Sequence, residues 1–134
     1  MLQIYFLSIV YLVFSSLLLL IDYYREKLAF LLRLRAALRD NRKAQHIHFI
    51  SGLAISILLL FFPISPGPMF LGDLVPSIAI AFESFYFLVS YSEKNRDRGL
   101  SFNGTKLEVK RRNAGYASLL VALLHFLFPS FVLI

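Results

Sequence analysis

Four apolar stretches, each near the length needed to cross a bilayer, leave this chain few folds to choose from. A hydrocarbon core about 30 Å thick takes roughly 20 helical residues at 1.5 Å rise each, because in lipid every backbone amide must be satisfied inside its own segment. The first stretch runs from Met1 to about Ile21 without a charge, the second from about His48 to Ile64, the third from about Leu71 to Tyr91, and the fourth from Ala114 to Ile134. The sequence therefore predicts an all-α, polytopic membrane protein: one domain over residues 1–134, folded as a four-transmembrane-helix bundle. The first stretch has no basic n-region, exceeds the usual signal-peptide core and precedes no A-x-A-like site, so it is read as a retained span.

Composition agrees. With 58% apolar residues and a mean hydropathy of +0.70, neither a soluble globule nor a disordered chain is expected. The absence of cysteine excludes a disulfide scaffold, Cys-ligated zinc, an iron–sulfur cluster and a thiol nucleophile. No cofactor is implied.

Charge sets the expected orientation. All 14 Lys and Arg fall in two connections, residues 22–47 and 92–113, and none in either terminus or in the turn at residues 65–70. By the positive-inside rule both basic connections are cytoplasmic, and the N-terminus, the C-terminus and the turn lie outside an inner or plasma membrane. Ser65-Pro66-Gly67-Pro68 enforces that external reversal. Tyr23, Tyr24, Tyr91 and Tyr116 fall at the cytoplasmic ends of the spans, where amphipathic rings prefer to sit.

The segment Arg25 to Lys43 interleaves cations with Leu28, Leu31, Leu32, Leu34 and Leu38. We expect a basic interfacial helix, with Arg33, Arg35, Arg39, Arg42 and Lys43 reaching anionic headgroups. Its alternative use is docking of an acidic soluble partner. Nucleic-acid binding is not expected, since no recognition module accompanies the charge. In the second connection, Asn103-Gly104 flanked by alternating residues from Leu100 to Val109 favours a small β-hairpin on the cytoplasmic face. Asn103-Gly104-Thr105 also fits a glycosylation acceptor, but on the wrong side of the membrane.

Glu83 is the one acid in the middle of a predicted span, a placement that costs at least about 2.5 kcal/mol on insertion scales. Counting inward from Tyr91 and Ala114 places Glu83 and His125 at depths of roughly 12 and 16 Å, so the two are expected to meet. Three roles follow for the pair: a lock between spans three and four, a contact to another subunit, or a proton relay. Ala79 near Glu83, the ridge Ala114, Ser118 and Ala122, and the pair Gly52 and Ser56 supply small residues for close helix packing. Asp73 is expected to cap the third span, or else to form the mouth of an ion path leading to Glu83. His46 and His48 diverge on a helix and read as interfacial residues rather than metal ligands. No phosphate loop, zinc-protease helix or nucleophile elbow is present.

The favoured function is non-enzymatic: a small integral membrane protein acting as a structural or accessory subunit, or as a homo-oligomer, in contact with anionic lipid. A proton- or cation-coupled channel or transporter using Glu83 with His125 is the alternative, and a lipid-modifying enzyme the third reading.

Overall fold

The computed structural model describes residues 2–21, 23–24, 29–62, 73–96 and 104–128. They form five helices: α1 (Leu2–Leu20), α2 (Ala29–Asp40), α3 (Arg42–Phe61), α4 (Leu74–Arg96) and α5 (Gly104–Leu127). The chain is all-α, with no strand among the described residues. By length and apolar content, α1 and α3 are able to cross a membrane, and α4 carries a shorter apolar segment, Leu74–Val89. The turn at residues 65–70 lies outside the described residues, as do Asp22, Arg25, Lys27, Leu28, Arg98 and residues 129–134.

Two boundaries differ from the sequence expectation. The basic segment is not one helix up to Lys43. It breaks at Asn41, whose extended backbone (φ −110°, ψ 102°) and side-chain carbonyl cap α3 by accepting from the amides of Lys43 (3.0 Å) and Ala44 (3.3 Å). Arg42 and Lys43 thus open α3 instead of closing the interfacial helix. The hairpin is corrected in its described half: residues 104–109, the expected second strand, are the first turns of α5. Once the apolar helix beyond Ala114 exists, each added residue gains a hydrogen bond at little entropic cost, whereas an isolated two-stranded hairpin is marginal. The other half, Leu100 to Asn103, lies outside the described residues.

The helices pack in antiparallel pairs. α5 lies chiefly on α1 and α3 chiefly on α4, with α2 touching the ends of α1 and α3. One apolar cluster joins Tyr11, Leu12, Ile55, Leu59, Ile80 and Ala122, with Ala79 against it. A second, formed by Leu18, Leu19 and Phe87, receives Leu31 and Leu38 from α2 and Ala114 from α5. The leucine face of α2 therefore packs partly on protein. Tyr24 and Tyr116 share a hydroxyl hydrogen bond (2.9 Å), and Arg112 both donates to the Tyr23 hydroxyl (2.7 Å) and sits 4.9 Å from its ring centre. These contacts tie the end of α1 to α5.

Polar side chains share the interior with these apolar clusters, and large apolar side chains lie on the surface. Ser8, Ser15, Ser16, Ser77, Ser84, Glu83 and His125 are fully or almost fully buried, while Phe6, Ile57, Ile78, Phe82, Phe85, Leu120 and Phe126 are exposed. Small hydroxylated residues let the helices approach, and Gly52 is the closest such point. A Cβ there would collide with the hydroxyls of Ser84 and Tyr11, and one at Gly115 would stand 2.8 Å from Leu20 Cγ. Gly52→Ala is therefore expected to cost about 1–3 kcal/mol by overpacking. The exposed Ala54→Leu should change stability by less than about 0.5 kcal/mol. Thermal unfolding in detergent measures both, and equal melting temperatures would contradict the close approach at Gly52.

Candidate functional site

Each buried serine on these helices has one hydroxyl proton, and where that proton goes determines what the serine offers its neighbours. Ser84 Oγ donates to the Ile80 carbonyl (2.7 Å), so its lone pair is left to accept from the Tyr11 hydroxyl (2.9 Å). Tyr11 Oη in turn lies 3.3 Å from His48 Nε2, and the two rings stack with centroids 5.0 Å apart. The edge contact of His48 with Phe87 (5.2 Å) completes a polar node wrapped in aromatic rings. The Tyr11 hydroxyl also lies 3.1 Å from the carbonyl of His48, so its one proton is divided between a backbone acceptor on α3 and Ser84 on α4.

A second node surrounds Glu83, which is completely buried. Ser16 of α1 lies 3.3 Å from its Oε1, and Ser118 of α5 faces the same carboxyl. Oε2 accepts no hydrogen bond among the described residues, and neither does the Tyr86 hydroxyl one turn further along α4. A third node holds His125, also completely buried, against Tyr5 (ring centroids 4.6 Å apart) and 3.4 Å from Ser8 Oγ. Ser8 donates to the Tyr5 carbonyl (2.6 Å), so Nε2 of the imidazole is the donor toward Ser8. The Tyr5 hydroxyl donates to the carbonyl of His125 (2.7 Å), which closes an end of α5. Asp73 is buried close enough to Tyr5 to act on it electrostatically. Its carbonyl accepts from the Ser77 amide (3.1 Å), as at an N-cap.

Glu83 and His125 do not meet. Their partners on α1, Ser16 and Ser8, are two turns apart, and the apolar residues Leu12, Ile80 and Ala122 lie between the two levels. The sequence estimate failed because it counted from the ends of the apolar stretches. Here α4 continues to Arg96 and α5 starts at Gly104, so the register slides and Ser118 arrives where His125 was expected.

The other sequence candidates divide by position. Ser56 joins Ser77 of α4 in a reciprocal clasp, each hydroxyl donating to the other's carbonyl at 2.9 Å. Ala122 is buried in the first cluster and Ala79 packs on it, whereas Ala114 belongs to the second. The ridge of α5 thus serves α1 more than α4. Arg33, Arg42 and Lys43 are exposed, Arg35 is half-buried, and Arg39 lies in α2. His48 was misread as interfacial, since it reaches into the bundle. A signal was available, because Tyr11, Ser15 and His48 become neighbours once Asp40-Asn41 is recognised as a helix stop and cap that starts α3 six residues earlier.

A family model of an uncharacterised domain matches residues 1–125. The chain belongs to that family. No curated protein and no solved structure matches the chain.

Tyr11→Phe keeps the ring stack on His48 but removes the hydroxyl that reaches both the His48 carbonyl and Ser84. Interhelical hydrogen bonds of this kind average about 0.6 kcal/mol in membrane proteins and reach about 1.7. A loss in that range is expected from unfolding in detergent, with the helix content of the folded state unchanged.

Proposed function

We propose that this protein is a small integral membrane component, non-enzymatic, that acts as a structural or accessory subunit or as a homo-oligomer. One observation carries the reading: serines, Glu83 and His125 face inward while large apolar side chains face outward along α1, α3, α4 and α5. In water that distribution would leave hydrocarbon exposed and bury hydroxyls, whereas lipid rewards it on both counts. On this reading all four long helices cross an inner or plasma membrane, the Tyr23 and Arg112 end is cytoplasmic, and both termini are external. The cations of α2 and of the first turns of α3 and α5 meet anionic headgroups.

The structural role is preferred to the relay on a specific ground. A proton path from Glu83 to His125 would have to cross the layer of Leu12, Ile80 and Ala122, whereas each node by itself joins helices: α1, α4 and α5 at Glu83, α1, α3 and α4 at Tyr11.

Because the chain has no cysteine, topology is directly testable. In intact cells, Gly67→Cys should react with a membrane-impermeant maleimide and Thr105→Cys should react only after lysis; the reverse pattern would overturn the orientation. In mild detergent the protein should migrate as a particle larger than one chain with its micelle. A monomer that carries protons or cations across proteoliposomes would overturn the subunit reading in favour of transport.

A further inference from the structure

Ser16 has one proton and two oxygens to choose between. Its Oγ lies 2.5 Å from the Leu12 carbonyl oxygen and 3.3 Å from Glu83 Oε1. The short contact takes the proton, so Ser16 turns lone pairs toward the carboxyl. Two oxygens facing each other with lone pairs repel, unless the carboxyl supplies the hydrogen between them. The surroundings agree with a carboxyl that carries one.

Glu83 is wholly enclosed, and the groups that face it are neutral hydroxyls. From α1 come Ser16 and Tyr11, the latter near enough to interact with it electrostatically. From α5 comes Ser118, and on α4 itself Tyr86 follows one turn later. The one titratable group α3 brings near is His48, which is engaged on Tyr11. Among the described cations, Arg112 is held on Tyr23, Arg111 stands two turns from Ser118 toward that same end, and Arg35, half-buried on α2, belongs with the helix that packs on the Leu18, Leu19 and Phe87 cluster. Asp73 and His125 lie beyond the apolar layer. Among the described residues no cation is placed against this enclosed carboxyl, so an anion here would be buried without a counter-charge.

We propose that Glu83 is a proton-binding site: a neutral acid donating to Ser16 at the junction of α1, α4 and α5, whose deprotonation loosens that junction. The inference rests on the lipid-enclosed bundle described above, because lipid keeps water from the carboxyl. Protonated, the acid adds a hydrogen bond between α1 and α4. Ionised, it confronts the Ser16 lone pairs and requires water or a small cation to enter between the helices.

The full chain in phosphatidylcholine nanodiscs provides the test. Infrared spectra at neutral pH should contain the carbonyl stretch of a protonated carboxylic acid that disappears in Glu83→Gln and, in wild type, vanishes as the pH is raised. In Ser16→Ala that band should move to higher frequency as the acid loses its acceptor. Dicyclohexylcarbodiimide adds across a protonated carboxyl to leave a stable N-acylurea, so peptide mapping of the unmutated chain should find the adduct on Glu83 at neutral pH. Labelling at alkaline pH should fall at least tenfold.

A neutral-pH spectrum without the acid band, together with no adduct on Glu83, would overturn the proposal, and because the labelling uses wild type the result holds even if Glu83→Gln fails to fold. Extraction by alkaline carbonate reads the membrane assignment separately. A chain washed off membranes yet carrying a protonated Glu83 would sink that assignment alone, and an embedded chain with an ionised Glu83 would sink only this inference.

Discussion

A hydroxyl buried where no water competes must place its single proton, and the whole bundle is organised by those placements. Ser8, Ser16 and Ser84 all donate to a carbonyl of their own helix, which frees an oxygen lone pair to receive something from a neighbouring helix. What faces them there differs: the His125 imidazole at Ser8, the Tyr11 phenol at Ser84, and the Glu83 carboxyl at Ser16. One residue type, repeated along α1 and α4, thus meets three unlike partners at two levels, Glu83 and Ser84 being neighbours on α4. The small volume of serine matters as much as its chemistry, since it allows Gly52 to bring α3 against Tyr11 and Ser84.

One apolar layer separates the two levels and another closes the bundle beyond them. Leu12, Ile80 and Ala122 lie between the His125 and Glu83 nodes, and Leu18, Leu19 and Phe87 follow toward the Tyr23 end. Alternation of polar and apolar layers fixes axial register, because sliding one helix by a turn would place a serine against a leucine and leave a carboxyl or imidazole without its partner. The reciprocal clasp of Ser56 and Ser77 does the same for α3 and α4, with backbone acceptors on both sides.

Much of this was legible in the chain. The apolar stretches located α1, α3, α4 and α5; Glu83 and His125 stood out as ionisable residues deep in a span, Gly52, Ser56, Ser118 and Ala122 as small residues on packing faces, and all six are buried. Register was not legible, because hydropathy marks where a helix is apolar and not where it ends. Lys106 to Arg112 are good helix formers that continue α5 past its greasy part, and the same holds for the basic turn that opens α3. That extension moved His48 inward and His125 away from Glu83. Arg42 and Lys43 also defy a local rule, since cations at a helix N-terminus oppose its dipole by about 0.3–1 kcal/mol each. Such a conflict between helix dipole and charge placement marks positions chosen for something other than helix stability, and orientation in a membrane is the reason proposed above.

The pairing of α1 with α5 bears on how the molecule is assembled. Among the described helices α1 precedes α5 by the whole length of the bundle and yet finds its main neighbour there, with Tyr5 closing on carbonyls that do not exist until α5 has been made. During synthesis α3 and α4 are able to pair as soon as both exist, whereas the serine-lined flank of α1 stands open until α5 arrives, so the closure of α1 is the long-range step.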